Sequence, residues 1–302
     1  MGYEGSYFMA MDNDHIAGVY PLFILSTGIF GTMGISLPYV NYGGILSNND
    51  DMERILIEKA EIVGRRAGCR YIELRQRFPL KTDLPQSERK VVSIIPLDGG
   101  PEKVFERLHR NVRNKVRKAS KCGVTVQSGA EYLGEFYDIY SRNLRDMGTP
   151  VLTSKFFDCM VDAFPEHVRV YRATHQGKTI GAKIILIDGD TCYFVWVASI
   201  RKHLNYAPVH ALNWKAIEDA CAAGCRQVDF GRSTAESSHQ DFKKYWGVES
   251  YTLPWAYQLL NCQTTPGLNK ENPKFDLAMA LWKKLPVFVS RLIGPPIARR
   301  LP

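Results

Sequence analysis

The sequence predicts an α/β protein of two related domains in tandem. Three observations carry this: a globular composition, strand patterns alternating with helix patterns, and one strand–turn–strand pattern that occurs twice. Of the 302 residues, 45% are hydrophobic and 23% charged, which excludes a disordered or fibrous chain. Every apolar run near the length of a membrane span, about 18 residues, is broken by a charge or a turn former, so a transmembrane helix is not expected.

The repeated pattern is a hairpin. Ser6 to Met11 alternates, Asp12-Asn13-Asp14-His15 turns, and Ile16-Ala17-Gly18-Val19 opens a second strand. His167 to Thr174 alternates, His175-Gln176-Gly177-Lys178 turns, and Thr179-Ile180-Gly181-Ala182 opens the next. A glycine early in the second strand suits a bulge or a close backbone approach. The first copy continues to a helix, Asp51 to Ala67, and a strand, Tyr71 to Leu74. The second continues through a strand, Thr191 to Ala198, a helix, Pro208 to Ala223, and a strand, Gln227 to Phe230. Ahead of its hairpin the second copy also has a helix, a strand at Val124 to Gln127 and a helix at Glu131 to Asp146. Setting Gly18 opposite Gly181 puts Met1 opposite Phe164. The first domain is therefore expected to lack its opening, roughly 40 residues. The expected domains are 1–98 and 99–260, with a tail at 261–302.

Pro101 to Lys121 reads as one helix, with Val104, Leu108, Val112 and Val116 as its apolar stripe. Its other faces carry Lys103, Arg107, Arg110, Arg113, Lys115, Arg117, Lys118 and Lys121 against only Glu102 and Glu106. That face suits an anion or RNA, or is simply solvated. The formal net charge of +8 favours anionic partners without choosing among them. The tail is interrupted by Pro266, Pro273, Pro286, Pro295 and Pro296. Phe275 to Leu292 reads as an amphipathic helix broken at Pro286. Trp282, Phe288 and Leu292 beside Lys283, Lys284 and Arg291 suit a membrane surface, and docking on the protein's own domain is the alternative. The seven cysteines lack metal or disulfide spacing and read as buried free thiols of a reducing, cytoplasmic compartment; Cys221 and Cys225 are expected on one helix face. No metal is expected.

The chemistry concentrates in two segments. Val228-Asp229-Phe230-Gly231-Arg232-Ser233 ends a strand in a glycine and an arginine. Phe242-Lys243-Lys244-Tyr245-Trp246-Gly247 follows after a polar loop. An arginine and a lysine so placed form a compact positive pocket for a phosphate, a carboxylate or a developing oxyanion. The alternative is a surface turn with solvated basic residues. Asp229 and Arg232 pairing with each other at the strand end is the alternative for those two residues.

The order of elements in the second domain resembles the GNAT acyltransferase fold, whose fourth and fifth strands splay around the acyl donor. Arg145-Asp146-Met147-Gly148-Thr149-Pro150, Asn213 to Glu218, Asp229 to Ser233, Phe242 to Gly247 and, in the first domain, Ser36 to Gly44 together resemble the FemAB-related family. More narrowly, they resemble its members associated with exosortase (PEP-CTERM) systems. The resemblance implies two tandem GNAT-like domains, the first incomplete, and amide-forming transfer from an aminoacyl or acyl donor. It implies Phe242 stacking on the donor end, Lys243 neutralising charge on the ester carbonyl, Arg232 holding a phosphate or carboxylate, and Asp229 orienting Arg232 or taking a proton. Ser237-Ser238-His239 departs from the subgroup pattern and adds His239 as an acid or base.

The stretch Ser199 to Pro208 stands where an acetyl-CoA enzyme of this fold has a glycine-rich pyrophosphate loop, and it contains no glycine. Pro208 removes a further N–H. Arg201 and Lys202 can meet phosphates through side chains, and Tyr206 and Trp246 complete the expected donor contacts. No permanently bound cofactor is expected; the donor is aminoacyl-tRNA or acyl-CoA, with tRNA contact along 101–121. The expected function is acyl or aminoacyl transfer to an amine of a cell-envelope or polysaccharide precursor, at the inner face of the membrane or in the cytoplasm. The alternatives are a CoA-dependent N-acetyltransferase and a noncatalytic binder of an anionic glycan carrier or RNA.

Overall fold

The computed structural model describes residues 4–27, 31–265 and 273–300. The chain divides into two compact units. The first comprises Met1–Val91, Tyr251–Asn269 and Arg299–Pro302, the second Val92–Ser250 and Lys270–Ala298.

The first unit opens with β1 (Glu4–Asp12), β2 (His15–Thr27), β3 (Gly31–Ile35) and the short β4 (Leu46–Ser47). Helix α1 (Asp50–Arg66) follows. Asn49 caps it by accepting a hydrogen bond from the Met52 amide, and Asp50, Asp51 and Glu53 complement its positive end. The chain then forms β5 (Tyr71–Leu74), parallel to β3, and enters β6 (Gln86–Pro96).

The second unit continues with α2 (Gly100–Arg107), α3 (Arg110–Lys121), β7 (Thr125–Ser128), α4 (Leu133–Met147) and α5 (Ser154–Ala163). The antiparallel meander β8 (Val168–His175), β9 (Lys178–Asp188) and β10 (Thr191–Ser199) comes next. Then come α6 (Pro208–Ala222), β11 (Gln227–Thr234) and α7 (Ser238–Lys244). Its strands run in the order β11-β10-β9-β8-β7. Pro208 starts α6, where its missing N–H is no loss. Leu212, Ala216, Ile217 and Ala220 of α6 are fully buried in a core shared with Val104, Leu108 and Val112. Each such Leu or Ile contributes about 1.5–3 kcal/mol.

The internal repeat is real in three dimensions. Ala10 stands opposite Gly18 in β1–β2, and Ala173 opposite Gly181 in β8–β9. The register shifts just after each alanine, at Ala10/Met11 and Ala173/Thr174. A Cβ on Gly18 would lie 3.0 Å from Leu56 of α1, and one on Gly181 3.2 Å from Leu212 of α6. Both glycines thus admit the helix that follows their meander.

Three expectations are corrected. The domain boundary at 260 is misplaced, because β12 (Glu249–Leu259) crosses at Ser250/Tyr251 into the first unit, where Ala256–Leu259 pair antiparallel with Leu74–Tyr71 of β5. The single helix 101–121 is two. Leu108 is extended (φ −64°, ψ 142°), and His109 restarts the helix by accepting the Asn111 amide on Nδ1 at 3.2 Å while donating its own N–H to Tyr245 O. Cys225 lies beyond the end of α6 rather than on its face, and Cys159 is exposed, although all seven thiols are free.

The tail forms α8 (Pro273–Trp282) and α9 (Val287–Ala298), separated at Pro286 as expected. Pro266 and the side chain of Phe275 lie outside the described residues. Helix α9 docks on α4. Arg291 pairs with Asp138 at 2.6 Å and donates from Nε to Ser141 at 2.7 Å. Gly294 packs on Val151. Arg291 is therefore turned inward rather than towards a membrane. Among the described residues, no helix is long and apolar enough to cross a membrane.

Candidate active site

Strands β10 and β11 are parallel partners only from Thr191–Gln227 to Tyr193–Asp229. Beyond that point β10 shifts register against β9, between Phe194 and Trp196, while β11 runs on to Thr234. Gly231 adopts φ +78°, a conformation that favours glycine. The buried Asp229 fixes this turn: its Oδ1 accepts the Gly231 amide at 2.7 Å.

Lys243 reaches this turn from α7, which Ser237 caps by accepting the Gln240 amide. Its Nζ donates to Gly231 O at 2.7 Å and to Arg232 O at 3.0 Å. Burial pushes its pKa down to about 8; the nearby Asp229 carboxylate opposes this and the Arg232 guanidinium adds to it. Lys243, Arg232 and Asp229 are thus brought together, as the sequence predicts. The Asp229 carboxylate holds the turn that carries Arg232.

Phe242 is half-buried in an aromatic group with His210, Phe230 and Trp246, at centroid distances of 5.7, 6.3 and 6.2 Å. Trp246 is fully buried, so it is the floor beneath Phe242 and not a donor contact. His239 is exposed in the first turn of α7, and the turn at Gly231 is formed without it. Arg201, Lys202 and Tyr206 form a separate group, a 3-10 turn leading into α6. Arg201 and Lys202 are exposed, and Tyr206 stacks on His175 at 4.1 Å. The turn ends at Ala207, whose φ of +56° redirects the chain into α6.

Sequence reasoning missed two residues of this region. His210, one turn into α6, stacks on Trp246 at 5.8 Å, and burial, with Lys115 adding, lowers its pKa to about 4. Lys183 of β9 is fully buried; its Nζ lies 3.2 Å above the Phe194 ring and donates to Asn213 Oδ1 at 2.8 Å. Burial holds that amine well below the ordinary lysine value. The available signal was a lysine inside the apolar run Ile180 to Ile187, a position that solvated lysines do not take.

The first unit has an acid and an arginine at the matching place, Glu73 being the third residue of β5 as Asp229 is of β11. There Arg75 is closed off, paired with Glu73 at 2.7 Å and covered by the Trp255 ring at 4.9 Å. Among the described residues, only the second unit has a lysine bound at such a turn. Among the described residues, no cluster of three His, Cys, Asp or Glu is placed to hold a metal.

Residues 106–244 match the family described as Acetyltransferase (GNAT) domain. Among solved structures, the chain is similar to FemX with a TM-score of 0.66 at 15% identity, covering 86% of this chain and 89% of that one. It is also similar to the C-terminal domain of a protein from Agrobacterium fabrum described as a lysylphosphatidylglycerol synthetase (TM-score 0.58, 12% identity, 92% and 87% covered). A tandem GNAT protein from the clavulanic acid biosynthesis pathway gives a TM-score of 0.54 at 12% identity, with 87% and 85% covered. No curated protein matches the sequence. Residues 106–244 thus match an acetyltransferase (GNAT) domain, and the chain shares its fold with FemX and with a tandem GNAT protein.

Proposed function

We propose that this protein transfers an acyl or aminoacyl group to an amine of a cell-envelope or polysaccharide precursor, with Lys243 at the reacting carbonyl. The observation that carries this reading is the desolvated Lys243 ammonium held at Gly231 and Arg232 of β11, just past the last β10–β11 pair. The acceptor amine attacks the ester or thioester carbonyl, and its nitrogen–carbon bond forms as the oxyanion develops. The Lys243 ammonium stabilises that oxyanion in a low-dielectric site. The carbon–oxygen or carbon–sulfur bond then breaks, and the proton lost by the amine passes to the leaving group. Arg232 holds a phosphate or carboxylate of a substrate, and Phe242 stacks on the donor end.

Aminoacyl-tRNA is favoured over acyl-CoA as donor. The glycine-free 3-10 turn ahead of α6 offers side-chain cations rather than a backbone cradle. On α3, no carboxylate among the described residues pairs with Lys115, Arg117, Lys118 or Lys121, and Lys115 is close enough to His210 to affect its protonation. That row suits a nucleic-acid backbone leading to the site. In the same reading the tail contacts a membrane surface, close to the precursor.

The test is a transfer assay with charged tRNA and with acyl-CoA against a panel of amine acceptors. Turnover with charged tRNA, lost in Lys243→Ala, supports the reading. Turnover with acyl-CoA alone establishes the CoA-dependent N-acetyltransferase instead. Tight binding of either donor without turnover on any acceptor establishes a binding protein.

A further inference from the structure

Helix α9 is built inside out. Its protein-facing stripe is Ser290, Gly294 and Ala298, small residues at four-residue spacing that are all buried. Its large residues point the other way: Phe288 is 73% and Leu292 77% exposed, one turn apart, with Ile293 and Ile297 also exposed beside them. A helix that needed only to cover its own domain would bury the large residues and expose the small or polar ones. Helix α8 repeats the pattern with Leu277 and Leu281, both exposed and one turn apart, and with Met279. Lys283 and Lys284 stand exposed in the elbow between the two helices. The charged groups around them are few. Asp276 is exposed on the first turn of α8, Arg145 donates to Leu285 O in the elbow and pairs with Asp146, and the Arg291 and Asp138 charges are spent on each other.

We infer that this face seats on an anionic lipid bilayer, with Phe288 and Leu292 entering the acyl boundary and Lys283 and Lys284 meeting the headgroups. The charge argues for lipid over a second copy of the chain. A two-fold interface brings the same patch of both copies together, and that would gather the Lys283 and Lys284 charges of both copies into one interface. The inference rests on the membrane reading of the tail given above, not on the transfer chemistry, and its test reads binding rather than turnover.

The experiment floats the full-length protein with vesicles of phosphatidylcholine alone and of phosphatidylcholine with phosphatidylglycerol. Two double variants, Phe288→Ser/Leu292→Ser and Lys283→Glu/Lys284→Glu, are run beside it. All four side chains are exposed, so the fold is retained, which circular dichroism checks. The expected result is binding to the phosphatidylglycerol vesicles, weakened roughly tenfold or more by either double variant. Three results overturn the inference. One is no binding to anionic vesicles. Another is binding unchanged in Phe288→Ser/Leu292→Ser, which points to the basic α3 surface instead. The third is a concentration-dependent dimer in sedimentation that the same variant dissolves, which shows that a second copy covers the face.

Discussion

The Lys243 ammonium lies 2.7 Å from the carbonyl oxygen of Gly231, a residue twelve positions earlier in the chain and on a different element. The glycine turn aims that carbonyl and its neighbour at one point, and the end of α7 delivers the cation there. A lysine so tied has little freedom left to lose when a substrate carbonyl arrives, which is the preorganisation that electrostatic catalysis needs.

Removing the cation removes the chemistry and little else. Lys243→Ala and Arg232→Ala are each expected to lower the transfer rate by about two orders of magnitude or more. In Lys243→Ala, loss of the hydrogen bonds to the Gly231 and Arg232 carbonyls, the first at a buried residue, costs about 1–3 kcal/mol of stability. Steady-state rates paired with thermal melts check both. A large loss of stability at normal activity per folded molecule would remove Lys243 and Arg232 from the site.

The pH profile follows from the lowered pKa of Lys243, about 8 against 10.5 for the free side chain. If the ammonium is the working form, kcat/KM falls as pH rises through about 8, and this limb is absent in Lys243→Arg. Stability moves the other way. Between about 8 and 10.5 the unfolded chain binds the proton that the folded one has released, so stability rises with pH across that window. An activity that climbs through pH 8 would reassign Lys243 as a base.

His210 predicts the acid side. Its pKa is lowered to about 4 from 6.5, so the unfolded state takes up a proton first. Stability is therefore lost as pH falls from about 6.5 to about 4, by at most about 3 kcal/mol. His210→Phe keeps the ring against Trp246 and Phe242 and is expected to flatten this part of the melting-temperature profile. An unchanged acid slope would place the sensitivity elsewhere.

Trp246 separates a wall from a contact. Trp246→Ala should cost about 3–5 kcal/mol through the cavity it leaves. Trp246→Phe should fold and leave KM for the donor within a few-fold of the parent, since the indole is fully buried and its Nε1 has no hydrogen-bond partner. A selective rise in donor KM in Trp246→Phe would restore it as a donor contact.

Gly181 tests the repeat. A Cβ there meets Pro208 at 3.1 Å and Leu212 at 3.2 Å. Gly181→Val is expected to destabilise by about 1–3 kcal/mol, as overpacking does, read from chemical denaturation. Tolerance of valine would mean that α6 shifts freely on its sheet.

Much of this was legible in the chain because the relevant patterns are local. The hairpin glycines, the strand Gln227 to Phe230 and the helix Pro208 to Ala223 each announce themselves within a few residues, and so does the Phe242-Lys243 pair. The missing parts depend on distant partners. Whether Trp246 lines a pocket or fills a core depends on His210 and Phe230, which come from two other stretches. The break at Leu108–His109 is set by Tyr245, far along the chain. The membership of β12 was hidden for the same reason, since an alternating strand reads alike whichever neighbour it joins.

That return of β12 has a consequence for how the protein is made. The first unit leaves the ribosome first, yet β5 waits for Ala256–Leu259 as its antiparallel neighbour. Until those residues emerge, the early half of the chain carries an unfilled strand position while the later half is already able to condense around α6. Most of the second unit is thus made before the first can close its sheet, and the nascent chain spends that interval with an open sheet edge for which a chaperone is the safest neighbour.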